Sequence, residues 1–240
     1  MAGFGGDRLP QVSAWVSERA AGLRTRVSMR LICETAVTRL GVSGAVVTMH
    51  NPAGWPETAE STGVLADRLA ELEVTLGEGP CLDASRDGRP VLIADLHRPA
   101  GRARWPLFAP LAVEAGAGAL FALPMCVGSI GVGVLALHRV VAGELGPVAL
   151  ADSLAFTELA MRLLLDERAG LLSENGEPAT TNDLPLHNAQ LHQATGMIAA
   201  QLEVGMGDAF AVLRARAFAD RRLLADLAAD VVTRRFRFER

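Results

Sequence analysis

The chain has 240 residues, 23 basic against 27 acidic side chains for a formal net charge of -4, and half of its residues are apolar. Burying so much apolar side chain offsets the entropy of ordering the backbone, which excludes a disordered tail protein, and the length allows one or two domains. All 23 basic residues are arginine, which excludes functions that need a lysine amine: Schiff-base chemistry, a pyridoxal phosphate anchor, or the phosphate-binding lysine of a Walker loop.

From the N-terminus, Val16, Ala20, Leu23, Val27 and Leu31 recur at helical spacing, and the pattern predicts one helix running to Leu40 with Gly41 as its stop. Ser43 to His50 reads as a strand, Asn51 to Gly54 as a turn and Ser61 to Leu65 as a second strand. A short helix near Asp67 to Val74 is followed by the Gly/Pro turn Leu76-Gly77-Glu78-Gly79-Pro80-Cys81 and another short helix. Pro90 to Ala94 is a third strand, Arg98 to Pro106 a loop rich in arginine and proline, and a helix ends near Glu114.

Ala115 to Leu137 carries no charge, which by length suggests a membrane span. Pro124, Gly128, Gly131 and Gly133 interrupt it, and its β-branched residues favour two buried strands, Gly118 to Met125 and Ile130 to His138. No membrane association is expected. A helix from Pro147 to Leu172 completes an α+β domain over residues 12–172, an antiparallel sheet flanked by helices. Residues 173–184 are polar and aperiodic and read as a linker.

Residues 185–240 read as a small all-α bundle of three helices. The first runs from Leu186 to Glu203; Asp208 is placed to cap the second, with Phe210, Leu213 and Ala217 inward; Arg221 and Arg222 mark a turn before a third helix striped by Leu224, Leu227, Ala228 and Val231. From Leu186 onward the charge is +2 and elsewhere it is -6, so a polyanionic partner is expected at the C-terminus.

Cys33, Cys81 and Cys126 are too far apart for a CxxC pair and their odd number fits a reducing compartment, so a cytoplasmic location is expected. Cys81 stands at an expected helix start, where the helix dipole favours thiolate and redox sensing is conceivable; a small buried residue is the plainer reading. Trp55, Trp105 and Phe108, with Cys81, are candidates for lining a small-molecule cavity, against the plainer reading of core packing. Gly196 reads as a close-packing position between helices. The histidines show no metal-ligand spacing, and the cofactor is unknown from sequence.

Ala194-Thr195-Gly196-Met197-Ile198, Asp208-Ala209-Phe210, Leu213-Arg214, Ala217 and Leu223 to Ala228 resemble the ANTAR domain of bacterial antitermination regulators. Leu76-Gly77-Glu78-Gly79-Pro80-Cys81-Leu82-Asp83-Ala84, followed by Gly88-Arg89-Pro90-Val91 and Ala94-Asp95-Leu96, resembles the GAF sensory domains fused to ANTAR modules in actinobacteria. The resemblance implies a signal-responsive, non-enzymatic homodimer whose tail binds paired RNA stem-loops in nascent transcripts and prevents termination. Gly196, Arg214, Arg216, Arg221 and Arg222 are the expected RNA-binding residues, since arginine meets phosphates and base edges by fork geometry, stacking and charge. The alternatives are a helix-turn-helix DNA-binding regulator, a ligand or redox sensor with a dimerising tail, and thiol chemistry at Cys81.

Overall fold

A computed structural model describes residues 8–51, 54–168 and 186–239. The expected linker at 173–184, the last residues of the helix expected to reach Leu172, and Pro52 and Ala53 of the expected turn lie outside the described residues.

The expected opening helix is two helices, α1 (Leu9–Leu23) and α2 (Met29–Leu40). Arg24 takes a left-handed conformation, φ 52°, from which its N–H reaches back to the carbonyls of Ala20 and Ala21, and Ser28 caps α2 by accepting from the Leu31 N–H. Leu23 and Val27, counted in the expected stripe, flank this corner and are exposed.

Five strands follow: β1 (Gly44–His50), β2 (Pro56–Ser61), β3 (Val91–Ile93), β4 (Ala119–Val127) and β5 (Ile130–Arg139). They form one antiparallel sheet in the order β2-β1-β5-β4-β3. The second strand lies earlier than the expected 61–65. Its residues, Pro56-Glu57-Thr58-Ala59-Glu60-Ser61, lack an apolar alternation because β2 is an edge, and Leu65 already belongs to α3 (Val64–Leu76). The expected loop at 98–106 contains α5 (Pro99–Arg104), started by proline at its first position, after α4 (Pro80–Asp87) and before α6 (Phe108–Glu114).

Strand alternation divides two cores. Ala45, Val47, Phe121, Leu123, Leu135 and Leu137 face α1, α2 and α7 (Pro147–Arg168). Val46, Leu120, Ala122, Val134 and Ala136 face the α3 to α6 side. Because β4 and β5 are covered on both faces, they are apolar at nearly every position, which is why the segment has the length and composition of a span. No single helix among the described residues is long and apolar enough to cross a membrane.

The C-terminal helices α8 (Leu186–Leu202), α9 (Met206–Ala219) and α10 (Leu224–Val232) share a core of Ala194, Ile198, Phe210, Leu213, Ala217, Leu227 and Val231. Gly205, not Asp208, is the N-cap of α9; Asp208 sits in the first turn, where its carboxylate complements the positive helix end. Arg221 turns the corner to α10 in a left-handed conformation, φ 53°.

This bundle packs on β2 and α3. Trp55 stacks on Phe210 with ring centroids 4.1 Å apart, and His192 Nε2 lies 2.5 Å from Glu57 Oε1. The residue before α10 is Leu223, which has no side-chain oxygen, so α3 supplies the missing acceptors: Thr75 Oγ1 accepts from the Leu224 N–H and Glu71 Oε1 from the Ala225 N–H, both at 3.2 Å. Replacing Thr75 with valine keeps the shape and removes one cap. The expected loss is about 1 kcal/mol of local stability, read as faster amide exchange in α10 with β4 and β5 unchanged.

Candidate functional site

The Gly/Pro-rich stretch between α3 and α4 owes its residues to three carboxylates. Gly77 closes α3 in a left-handed conformation, φ 72°, and Glu78 Oε1 then accepts from the backbone N–H groups of Leu107 and Phe108 at 2.6 and 2.8 Å, closing the start of α6. Glu73, buried on α3, points its carboxylate at the start of α4, where Oε2 accepts from the N–H groups of Cys81 (2.8 Å) and Leu82 (3.2 Å). Gly79, φ 151°, has to be glycine because a Cβ there would run into the Glu73 side chain. Asp83 Oδ2 accepts from Arg104 Nε at 2.8 Å and Trp105 Nε1 at 3.2 Å, tying α4 to α5.

Between α3, α4 and the sheet, on either side of the Glu73 and Cys81 side chains, lie two small cavities. One, of about 20 Å³, is lined by Val46, Leu69, Ala136 and His138 among others. The second, also about 20 Å³, reaches Thr48, His50, Ser85 and Val134. Each has room for about one water molecule, so anything larger enters only if α3 or α4 side chains move. His50 Nε2 and Ser85 Oγ are hydrogen-bonded at 2.9 Å at the rim.

Burial pushes the Glu73 carboxyl up to about 7, against the hydrogen bonds that favour its charged form. Burial likewise holds the His138 ring down at about 4. Between these values both groups are neutral, and the lining suits an uncharged guest. Burial, then the Glu73 charge, drives the Cys81 thiol well above its ordinary value. At this helix start the dipole, which favours thiolate, is thus opposed by desolvation and an adjacent carboxylate.

Of the expected ligand residues, Cys81 lines both cavities. Trp105 and Phe108 do not; they are 1% and 0% exposed and pack edge to face in the α3 to α6 core, centroids 6.5 Å apart. Trp55 faces the C-terminal bundle instead. Glu73 and His138 escaped the sequence reading, although an acid four residues after Leu69 on a core stripe and a histidine ending an apolar strand were visible signals.

The expected RNA-binding residues are not equivalent. Arg214 is exposed on α9, and its guanidinium lies against the end of α3, 3.2 Å from where a Cβ on Gly77 would stand. Arg216 pairs with Asp220 at 2.7 Å and lies over the Phe236 ring, 4.9 Å from its centroid. Arg222 pairs with Asp230 at 2.5 Å. Arg221 is exposed at the corner. Gly196 has nothing within 4 Å of a Cβ position, so the close-packing reading is corrected: no neighbouring helix demands glycine there.

The two titrating groups give opposite pH signs. Folded Glu73 keeps its proton to about 7 against 4.5 for an ordinary glutamate, so its stabilising contribution is full below 4.5 and lost as pH rises through 7. Folded His138 stays neutral to about 4 against 6.5, so its contribution is full above 6.5 and lost as pH falls through 4. Relative to wild type, Glu73→Gln is expected to gain about 2 kcal/mol between about pH 5 and about pH 8 in urea unfolding. An identical pH difference in both proteins would assign the effect to other groups.

The GAF domain family model matches residues 26–165. The GAF domain of an Acinetobacter phosphoenolpyruvate-protein phosphotransferase superposes with a TM-score of 0.52 at 13% identity, covering 68% of this chain and 96% of that one. The GAF domain of the corresponding Coxiella burnetii protein gives 0.51 at 13% identity, covering 67% and 96%. These likenesses concern the fold. No curated protein matches the sequence. With the family match spanning the whole sheet and more than half of the chain, the chain belongs to the GAF-domain family, whose domains typically sense ligands or signals.

Proposed function

We propose that the chain is a non-enzymatic, cytoplasmic, homodimeric regulator in which the GAF domain senses a signal and the C-terminal bundle, an ANTAR-like module, binds paired RNA stem-loops and prevents transcription termination. The sequence resemblance of residues 194–228 supplies the RNA and antitermination parts of this reading. The observation that carries it in physical terms is the division of the bundle's surface. Leu213 and Ala217 bury one side of α9, leaving Ala211, Ala215 and Ala219 exposed beside Arg214 and Arg216, with Arg221 at the corner. Small side chains beside guanidinium groups let a phosphate backbone approach closely.

The same division disfavours duplex DNA. In a helix-turn-helix α10 would be the recognition helix, yet it carries Asp226 and Asp230, no arginine and a buried Leu-Leu-Ala-Val stripe. Carboxylates on the reading helix repel phosphate. Arg222 is half-buried and held by both the Asp230 carboxylate and the Asp226 carbonyl, so the more exposed Arg214, Arg216 and Arg221 are the contacts to test. Filter binding of a two-hairpin leader RNA to the full chain is expected to weaken by about tenfold or more in the Arg214/Arg216/Arg221 alanine variant, with a shallower salt dependence. Excess duplex DNA is expected not to compete; equal affinity of variant and wild type would remove these residues from the interface.

A further inference from the structure

The exposed side of α9 carries one large apolar side chain. Phe218 is 48% exposed, whereas every other aromatic residue among the described ones is buried or half-buried. Its ring makes no aromatic or cation contact with another described residue. A lone exposed phenylalanine is ordinary on a protein surface, so what matters is its setting. One turn before it on the helix stand Arg214 and Ala215, and two turns before it stands Ala211. Its own carbonyl accepts from the Arg221 N–H at 3.1 Å where the chain turns toward α10. The ring is thus bracketed by two arginines. Neither guanidinium has a carboxylate partner among the described residues, in contrast to Arg216 with Asp220 and Arg222 with Asp230.

A flat apolar ring between two uncompensated cations, beside a floor of alanines, matches the chemistry of one nucleotide: a π face for the base and positive charge for the phosphates on either side of it. A paired base has both faces covered by its neighbours in the helix, so the ring selects an unpaired one. A second copy of this chain fits the same face poorly. Across a two-fold axis the unpaired arginines of both copies would be drawn together, and the alanines offer little apolar area to cover. The bundle's other exposed large apolar side chains, Val204 and Met206, do not extend the patch. They stand at the opposite end of α9, about 18 Å away along its axis.

We propose that Phe218 is a base platform: an unpaired base of a hairpin loop stacks on its ring, while Arg214 and Arg221 hold the phosphates flanking that base. This rests on the RNA-binding reading of the bundle and deepens it, because it assigns part of the loop readout to a residue that carries no charge. The arginines supply salt-dependent affinity common to any RNA, and the ring adds a preference for loops with a base free to lie on it.

Filter binding of the two-hairpin leader RNA to the full chain tests this with three variants. Phe218→Ala is expected to weaken binding about tenfold or more, with the salt dependence unchanged because no charge is lost. Phe218→Leu, apolar but without a π face, is expected to lose nearly as much, and Phe218→Trp to retain wild-type affinity. An RNA whose loop residues are abasic is expected to bind the wild type weakly and Phe218→Ala no more weakly still. Wild-type affinity in Phe218→Ala or Phe218→Leu, or a further loss on the abasic RNA, would remove the platform while leaving the RNA-binding reading in place. Dissociation of the Phe218→Ala chain to monomers in sedimentation equilibrium would make the ring a contact between copies and overturn the proposal. Failure of the wild type to bind the leader RNA would overturn both readings together.

Discussion

One helix, α3, has both of its sides committed to apolar neighbours, and its two less exposed acids, Glu71 and Glu73, are consequently fixed by what they must neutralise. Toward the sheet, Glu73 closes the start of α4. Toward the C-terminal bundle, Glu71 and Thr75 close the start of α10. A carboxylate in low dielectric is tolerable only where donors converge on it, and free helix N–H groups are the densest donors a backbone offers. The sequence of this helix is thus constrained from two directions at once, and so is its position.

This explains why the Gly/Pro stretch after α3 resembles a functional motif while acting mainly as architecture. Glu78, Asp83 and Glu73 each anchor a different short helix, and Gly79 exists to let Glu73 pass. The outcome for Cys81 follows: a thiol beside a buried carboxylate is a poor nucleophile, whatever helix end it occupies.

The antiparallel sheet, the long α7, the three C-terminal helices and the Arg221 corner were legible from periodicity and turn residues. What was missed shares a cause. The α1 to α2 corner has no glycine or proline, because Arg24 itself adopts the left-handed conformation. Strand β2 is an edge of mostly polar residues in succession and so lacks an apolar signal. Trp105 and Phe108 are aromatic residues next to a proline-rich segment, a composition shared by lids and by cores, and only burial decides between them. Glu73 and His138 were readable as polar residues at core positions, but what they face depends on chain segments far away in sequence. Trp55 could not be assigned at all from local pattern, since its partner Phe210 lies in another helical layer.

The borrowed acceptors at α10 have a consequence for modularity. Sensor and reader are usually pictured as interchangeable beads, yet here the last helix of the tail begins on hydroxyl and carboxyl oxygens that belong to the sensor. A graft of residues 186–239 onto a foreign sensor would arrive with two backbone amides uncovered, and a productive chimera would have to import a threonine and a glutamate, spaced four apart, along with the tail.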